Sequence, residues 1–170
     1  MFPIRDIRCS SAVILLDSLT NDDSNYLGSG TFASVYKSAD GRRAYKIIHK
    51  ADSAYMQFLV NLSEQTEQNP FLPVIYSVTN VNDGDHVLVS MELLKALPKA
   101  QAELVIAFHS ILNTTVPLPS NKDTLERAVA FLQSIAAECT GIFFDVHKDN
   151  IMLRGTQPVM TDVLCNKGDF

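Results

Sequence analysis

Asp145-Val146-His147-Lys148-Asp149-Asn150-Ile151-Met152-Leu153, followed by Val159-Met160-Thr161-Asp162, is the stretch on which the reading of this chain turns. Two carboxylates and an amide oxygen flank a short β-hairpin with Gly155 in its turn, so Asp145, Asn150 and Asp162 can converge on one point. Hard divalent cations such as Mg²⁺ take oxygen ligands of this kind and keep waters and phosphate oxygens for the remaining positions. An isolated Asp-x-x-x-x-Asn is usually a loop of solvated polar residues. The apolar Ile-Met-Leu strand after it, and the aspartate after the second strand, turn it into a cation-binding pattern.

Working outward, the next informative segment lies far upstream, at Gly28-Ser29-Gly30-Thr31-Phe32-Ala33-Ser34-Val35. It resembles the glycine-rich loop of protein kinases, with Ala33 where the third glycine would stand. Glycine lets backbone approach phosphates that a side chain would push away. Downstream, Ala44-Tyr45-Lys46 resembles the Ala-x-Lys of the third kinase strand. Ser90-Met91-Glu92-Leu93-Leu94 has the look of the segment joining two kinase lobes. Each signal alone describes an ordinary turn, edge lysine or strand end. Their order along one chain is what carries weight.

The intervening sequence fits that order. Residues 26 to 48 read as a β-meander, with Asp40-Gly41 closing a tight hairpin. Residues 52 to 66 read as a helix burying Tyr55, Phe58, Leu59 and Leu62. A second hairpin is expected from strands at 74–79 and 86–91, joined through Asn82-Asp83-Gly84-Asp85. Lys99 to Asn113 carries Leu104, Phe108, Ile111 and Leu112 at helical spacing, and Pro117 and Pro119 break it. A longer helix starts near Asp123, where Asp123-Thr124-Leu125-Glu126 matches a capping box. Its stripe is Leu125, Ala128, Leu132, Ile135 and Ala136, and Gly141 stands as its C-terminal cap. The apolar Ile142-Phe143-Phe144 follows, then short strands at Ile151–Leu153 and Val159–Thr161. The whole predicts an α+β fold of the protein-kinase-like two-lobe kind, with a β-rich N-lobe and a minimal helical C-lobe. We read residues 1–170 as one minimal domain: an N-terminal extension over 1–25, an N-lobe over 26–94, and a reduced C-lobe with the catalytic loop over 95–170. The hinge falls near Leu94 to Pro98.

Composition sets the outer limits. The 170 residues are 46% hydrophobic and 19% charged, the proportions of a globular chain rather than a disordered one. A net charge of −5 argues against a protein that coats nucleic acid, which needs a basic face, and is too modest for a DNA mimic. Cys9, Cys139 and Cys165 have no metal-ligand or disulfide spacing and are read as small core residues of a reducing cytoplasm. The apolar run from Ser11 to Leu16 is stopped by Asp17 and is too short for a membrane span, so it is expected to pack on the body as a strand or short helix.

Within the kinase-like group, the chain resembles the early serine/threonine protein kinases of podovirus-type coliphages. The residues that carry the likeness are Leu27 to Phe32, Ala54-Tyr55 with Phe58, and Pro73-Val74-Ile75-Tyr76. Phe144 to His147, Asn150-Ile151-Met152 and Thr161-Asp162 complete it, so it covers roughly residues 26 to 166. The resemblance implies transfer of the ATP γ-phosphoryl group to serine or threonine of host bacterial proteins in the cytoplasm, with no membrane partner. It implies that Asp145 orients or deprotonates the attacking hydroxyl and that Asn150 and Asp162 hold Mg²⁺. Lys46 would act on the phosphates, and Gly28, Ser29, Gly30, Thr31, Phe32, Val35, Ala44, Met91, Glu92 and Leu94 would surround the nucleotide.

Several departures leave other functions open. Phe143-Phe144-Asp145 replaces His-Arg-Asp, so no arginine is present to dock a phosphorylated activation loop. Val163-Leu164, not Phe-Gly, follows Asp162. Asp145-x-His147 resembles the Asp-x-His-x-x-Asn of small-molecule phosphotransferases, with Lys148 a candidate for the missing catalytic charge. Gln57, Glu64 and Glu67 compete as the helix partner of Lys46, with Glu64 preferred. The sequence ends eight residues after Asp162, which predicts that the usual helical substrate platform is missing. A non-enzymatic kinase-like binder of a host factor and a small-molecule kinase therefore stand beside the protein-kinase reading.

Overall fold

The computed structural model describes residues 10–49, 53–81, 86–114 and 124–166. Cys9, the turn expected at 82–85, the prolines at 117 and 119, and Asp123 lie outside them. The chain forms two compact units, Met1–Ala51 with Val74–Leu93, and Asp52–Pro73 with Leu94–Phe170. The architecture is α+β, with a β-rich first unit and, among the described residues, the two longest helices in the second.

The first unit is a five-stranded antiparallel sheet in the order β1-β2-β3-β5-β4. Its strands are β1 (Tyr26–Ser29), β2 (Ala33–Lys37), β3 (Arg43–Ile48), β4 (Ile75–Val81) and β5 (His86–Glu92). Residues directly opposite one another in such a ladder share a face, and the faces alternate along each strand. Tyr36 pairs with Tyr45 and Tyr45 with Ser90, while Ile47 pairs with Leu88, which puts these on one face. Helix α1 (Ser10–Thr20) covers it, burying Leu16 and Leu19 against Tyr36, Ile47, Val81 and Leu88. The apolar run after Ser11 is thus a helix whose buried leucines belong to the core of the sheet.

The β2–β3 turn is wider than a two-residue hairpin. Gly41 does adopt φ +67°, and its amide donates to the Ser38 carbonyl at 2.8 Å. The turn is also closed by the buried Ser38 hydroxyl. That group donates to Asp40 Oδ1 (2.6 Å) and accepts the amides of Arg42 and Arg43 (3.2 and 2.9 Å). Asp40 titrates below the usual carboxylate range because of the Ser38 hydroxyl, the Arg42 amide, and the Arg42 and Arg43 charges.

The second unit is organised by α2 (Ser53–Glu64), α3 (Glu103–Leu112) and α4 (Leu125–Glu138). Tyr55, Phe58, Leu59 and Leu62 are all buried, as their spacing predicts, and α2 packs on α4 with the Phe58 and Phe131 rings 6.3 Å apart. Gln57 donates to Glu138 and accepts the Cys139 thiol at 3.3 Å, so it serves this helix contact. Helix α4 differs from expectation at both ends. Its N-cap is Thr124, whose Oγ1 accepts the Arg127 amide at 3.2 Å; with Arg127 at the third helical position this cap lacks the acidic arm of the box read from Asp123. At the other end Cys139 is the C-cap in an extended conformation, and Gly141, at φ +78°, turns the chain into the next strand instead. The buried stripe is Ala128, Val129, Leu132 and Ile135, and Leu125 and Ala136 are only partly covered.

Two small sheets complete this unit. Strand β7 (Ile142–Phe144) pairs antiparallel with β10 (Leu164–Asn166), and β6 (Lys95–Ala96), β8 (Ile151–Arg154) and β9 (Gln157–Met160) form a three-stranded sheet in the order β6-β8-β9. Gly155 makes the β8–β9 turn at φ +65°. Arg154 donates to the carbonyls of Pro70 and Leu72 at 2.9 and 3.0 Å, and the Met160 amide donates to Phe71, which ties the segment after α2 to this hairpin. Among the described residues no helix is long and apolar enough to cross a membrane.

Candidate functional site

The β7–β10 pair and the β8–β9 hairpin bring the late cluster together. Asp145 follows β7 directly, and Asp162 lies two residues before β10. The Asp145 amide donates to the Val163 carbonyl at 2.9 Å, extending the β7–β10 ladder and anchoring the segments of both aspartates to one another. On the other side, Ile151 pairs with Met160. One step beyond that pair, the Asn150 carbonyl accepts both the Thr161 amide (2.9 Å) and the buried Thr161 Oγ1 (3.1 Å).

Asn150 also closes the loop from Asp145. Its amide donates to the His147 carbonyl at 3.0 Å. Its Nδ2 donates to the Asp145 carbonyl at 2.8 Å and approaches Asp145 Oδ2 at 3.4 Å. The residue is 8% exposed, so these bonds are made largely out of water and the loop is strongly specified. With Nδ2 spent on Asp145, the amide oxygen is the atom of this side chain left to accept from a ligand. Asn150 Oδ1 and the half-buried Asp162 carboxylate are hard oxygen donors of the type Mg²⁺ takes, one or two from protein with water and phosphate completing the shell. Among the described residues no group of three His, Cys, Asp or Glu forms a cage of its own. By residue chemistry, Asn150 and Asp162 are the expected pair for holding Mg²⁺ with a phosphate-bearing ligand.

The side chains around Asp145 are more exposed. His147 Nε2 lies 3.4 Å from Asp145 Oδ2, with the two side chains 47% and 36% exposed. Lys148 points to its neighbour, Nζ to Asp149 Oδ1 at 2.7 Å, with both side chains about two-thirds exposed. An exposed pair of this kind contributes little to stability. In the structure the charge of Lys148 is directed at Asp149.

In the first unit the expected nucleotide residues sort by the register of the sheet. Val35 pairs with Lys46 and Lys46 with Val89, while Lys37 pairs with Ala44 and Ala44 with Met91. Val35, Ala44, Lys46 and Met91 therefore share one face, the face opposite α1. The glycine segment is a turn closed by the Gly30 amide on the Ala33 carbonyl at 2.9 Å. A side chain on Gly28 or Gly30 would meet no atom within 4 Å, so packing does not require glycine at either, although Gly28 at φ +156° has a backbone reason for it. Open space beside the backbone is what close approach of a phosphate needs. Ser29 and Thr31 are exposed and Phe32 is half-buried; the Ser29 hydroxyl accepts from Tyr26 at 2.8 Å. Glu92 is engaged with Val74: its amide donates to the Val74 carbonyl at 3.0 Å, and its Oε1 accepts the Val74 amide at 2.8 Å. Leu94 is buried in the second unit.

Two participants were not assigned a role from sequence. Thr161 is the clamp on Asn150, and the only signal for it was its place opposite Asn150 once the hairpin register is known. The approach of His147 to Asp145 is visible only in three dimensions.

No protein-family model matches the chain, and no curated protein matches it. In fold it is similar to the crystal structure of the Mycobacterium tuberculosis PknI kinase domain, a cysteine-to-alanine mutant, with a TM-score of 0.46 and 15% sequence identity. The likeness covers 82% of this chain and 57% of that one, so the chain spans little more than half the length of the solved domain.

Proposed function

We propose that this protein is an ATP-dependent, Mg²⁺-requiring phosphotransferase that modifies serine or threonine of host bacterial proteins in the cytoplasm, in the manner of the phage kinases its motifs resemble. The observation that carries this reading is the clamp at Asn150. One buried side chain fixes the Asp145 backbone, and its own carbonyl is fixed by the residue preceding Asp162. Two carboxylates and an amide oxygen are thereby held on short, hydrogen-bonded segments before any ligand arrives, which is the positioning that phosphoryl transfer requires.

In this reading Asn150 and Asp162 would hold Mg²⁺, which would supply charge neutralisation at the phosphate oxygens. The acceptor hydroxyl oxygen forms a bond to the γ-phosphorus while the bond from that phosphorus to the β–γ bridging oxygen breaks. ADP leaves with that electron pair, and the hydroxyl proton passes to Asp145.

The test is incubation with γ-labelled ATP and Mg²⁺, with and without bacterial lysate, for the wild type, Asp145→Ala and Asp162→Ala. The expected result is label on the protein itself or on lysate proteins, reduced at least about a hundredfold in either variant. Full incorporation by Asp145→Ala would remove the role given to that residue. Nucleotide binding with no transfer would favour the non-enzymatic binder. His147 beside Asp145 favours a second reading, a kinase of small hydroxylated molecules, for which label would appear in a low-molecular-weight fraction of the lysate.

A further inference from the structure

We infer that His147 is a positioning residue for Asp145, its Nε2 facing one carboxylate oxygen so that the other is turned to the acceptor. The inference rests on the phosphotransferase reading above and adds a residue to it. Its basis is a hydrogen bond that fixes the tautomer. The Asp149 backbone amide donates to His147 Nδ1 at 3.3 Å. An imidazole nitrogen that accepts a hydrogen bond carries no proton, so in the neutral ring the proton sits on Nε2. That nitrogen is the one 3.4 Å from Asp145 Oδ2.

The same oxygen is approached by Asn150 Nδ2, also at 3.4 Å. Two nitrogens therefore converge on Oδ2, the Asn150 amide by a hydrogen bond and the imidazole at ion-pair distance, and neither is bonded to Oδ1. A carboxylate held in this way cannot swing freely about its last torsion, and its unoccupied oxygen has a defined direction. Proton acceptance from a hydroxyl needs such alignment, and apo contacts of about 3.4 Å are of the kind that tighten when substrate binds. The ring is held by its own loop, because the amide of Asp149 and the clamp of Asn150 on the His147 carbonyl fix it from both sides. His147 need not touch ATP to act.

The experiment compares the wild type with His147→Ala and His147→Gln in steady-state γ-phosphate transfer, alongside Mg²⁺–nucleotide affinity measured without turnover. Long-range proton–nitrogen NMR of the ¹⁵N-labelled protein reads the imidazole tautomer. Expected are an Nε2–H tautomer for His147 and about a tenfold fall in kcat for His147→Ala, with nucleotide affinity and KM for ATP unchanged. His147→Gln, whose amide nitrogen can replace Nε2–H, should recover most of the loss. An Nδ1–H tautomer, an unchanged kcat in His147→Ala, or a loss confined to KM and affinity would overturn the assignment, the last by making His147 a phosphate contact. Absence of transfer by the wild type overturns the phosphotransferase reading and this inference with it. Transfer combined with an Nδ1–H tautomer overturns this inference alone.

Discussion

The amide of Asp145 and the carbonyl of Val163 are joined by a 2.9 Å hydrogen bond, so the two aspartates of the late cluster stand just beyond the same end of one short ladder. That relation converts a separation of seventeen residues in sequence into adjacency of their segments. It also makes the site depend on bonds that mutation can remove one at a time.

Asn150→Ala removes the bond from Nδ2 to the Asp145 carbonyl and the amide oxygen offered to a cation. The expected cost is about 1–3 kcal/mol of stability, because the site is buried and the Asp145 carbonyl loses its donor. Chemical denaturation measures that cost. Under the proposed function Mg²⁺–ATP should raise the thermal midpoint of the wild type, and the variant should lose that protection.

Leu16→Ala tests whether α1 is an integral part of the sheet. Leu16 is 6% exposed among Tyr36, Ile47, Val81 and Leu88, and the truncation should cost about 2–4 kcal/mol by lost burial and a residual cavity. Ile14→Ala on the outer side of the same helix, 66% exposed, should change stability by less than about 0.5 kcal/mol. Equal effects in the two variants would contradict the packing of this helix.

Asp40 makes stability depend on acid. Its folded pKa is lowered from the ordinary 3.8, chiefly by the Ser38 hydroxyl. The unfolded chain therefore takes up the proton first, and the contribution is fully present above pH 3.8 and lost as pH falls through the folded value. Ser38→Ala should flatten the acid limb of a stability-versus-pH curve, as well as loosening the turn at Arg42 and Arg43.

His49 acts in a higher window. Its imidazole sits 5.2 Å from the His86 ring, centroid to centroid, with Nε2 3.2 Å from the Ser34 hydroxyl. Burial, and then the neighbouring His86, lower its pKa from 6.5. Above pH 6.5 both folded and unfolded forms are neutral and stability is complete. As pH falls from 6.5 through the folded pKa, the unfolded state binds the proton more readily and stability is lost. His49→Gln should remove that loss, and denaturant midpoints between pH 7 and pH 5 would register it.

Much of this was legible beforehand because local physics decided it. The stripe Tyr55, Phe58, Leu59 and Leu62 reports one helix face and is buried as its period requires. The strands of the β-meander and the β8–β9 hairpin announced themselves by alternation and by glycine in the turn. What could not be read was long-range pairing. Leu164-Cys165-Asn166 is a strand only because Ile142-Phe143-Phe144 lies beside it, and three residues carry no periodicity of their own. The cap of α4 moved by one residue because Asp123 and Thr124 are both competent N-caps and the sequence does not choose between them. At the site, motif order named Asp145, Asn150 and Asp162. The partners of Lys148 and His147 are set by rotamers, which spacing does not encode.

The interleaving of the two units bears on how the molecule can be taken apart. The backbone passes from one unit to the other at residues 51–52, returns at 73–74 and leaves again at 93–94. A single cut at the last passage would liberate a fragment that keeps the whole sheet but also carries α2, whose buried face belongs with α4 and β10 in the other piece. The counterpart would lack its first helix. Neither half is a transplantable module. Gene fusion, limited proteolysis and domain exchange should all treat this small chain as indivisible.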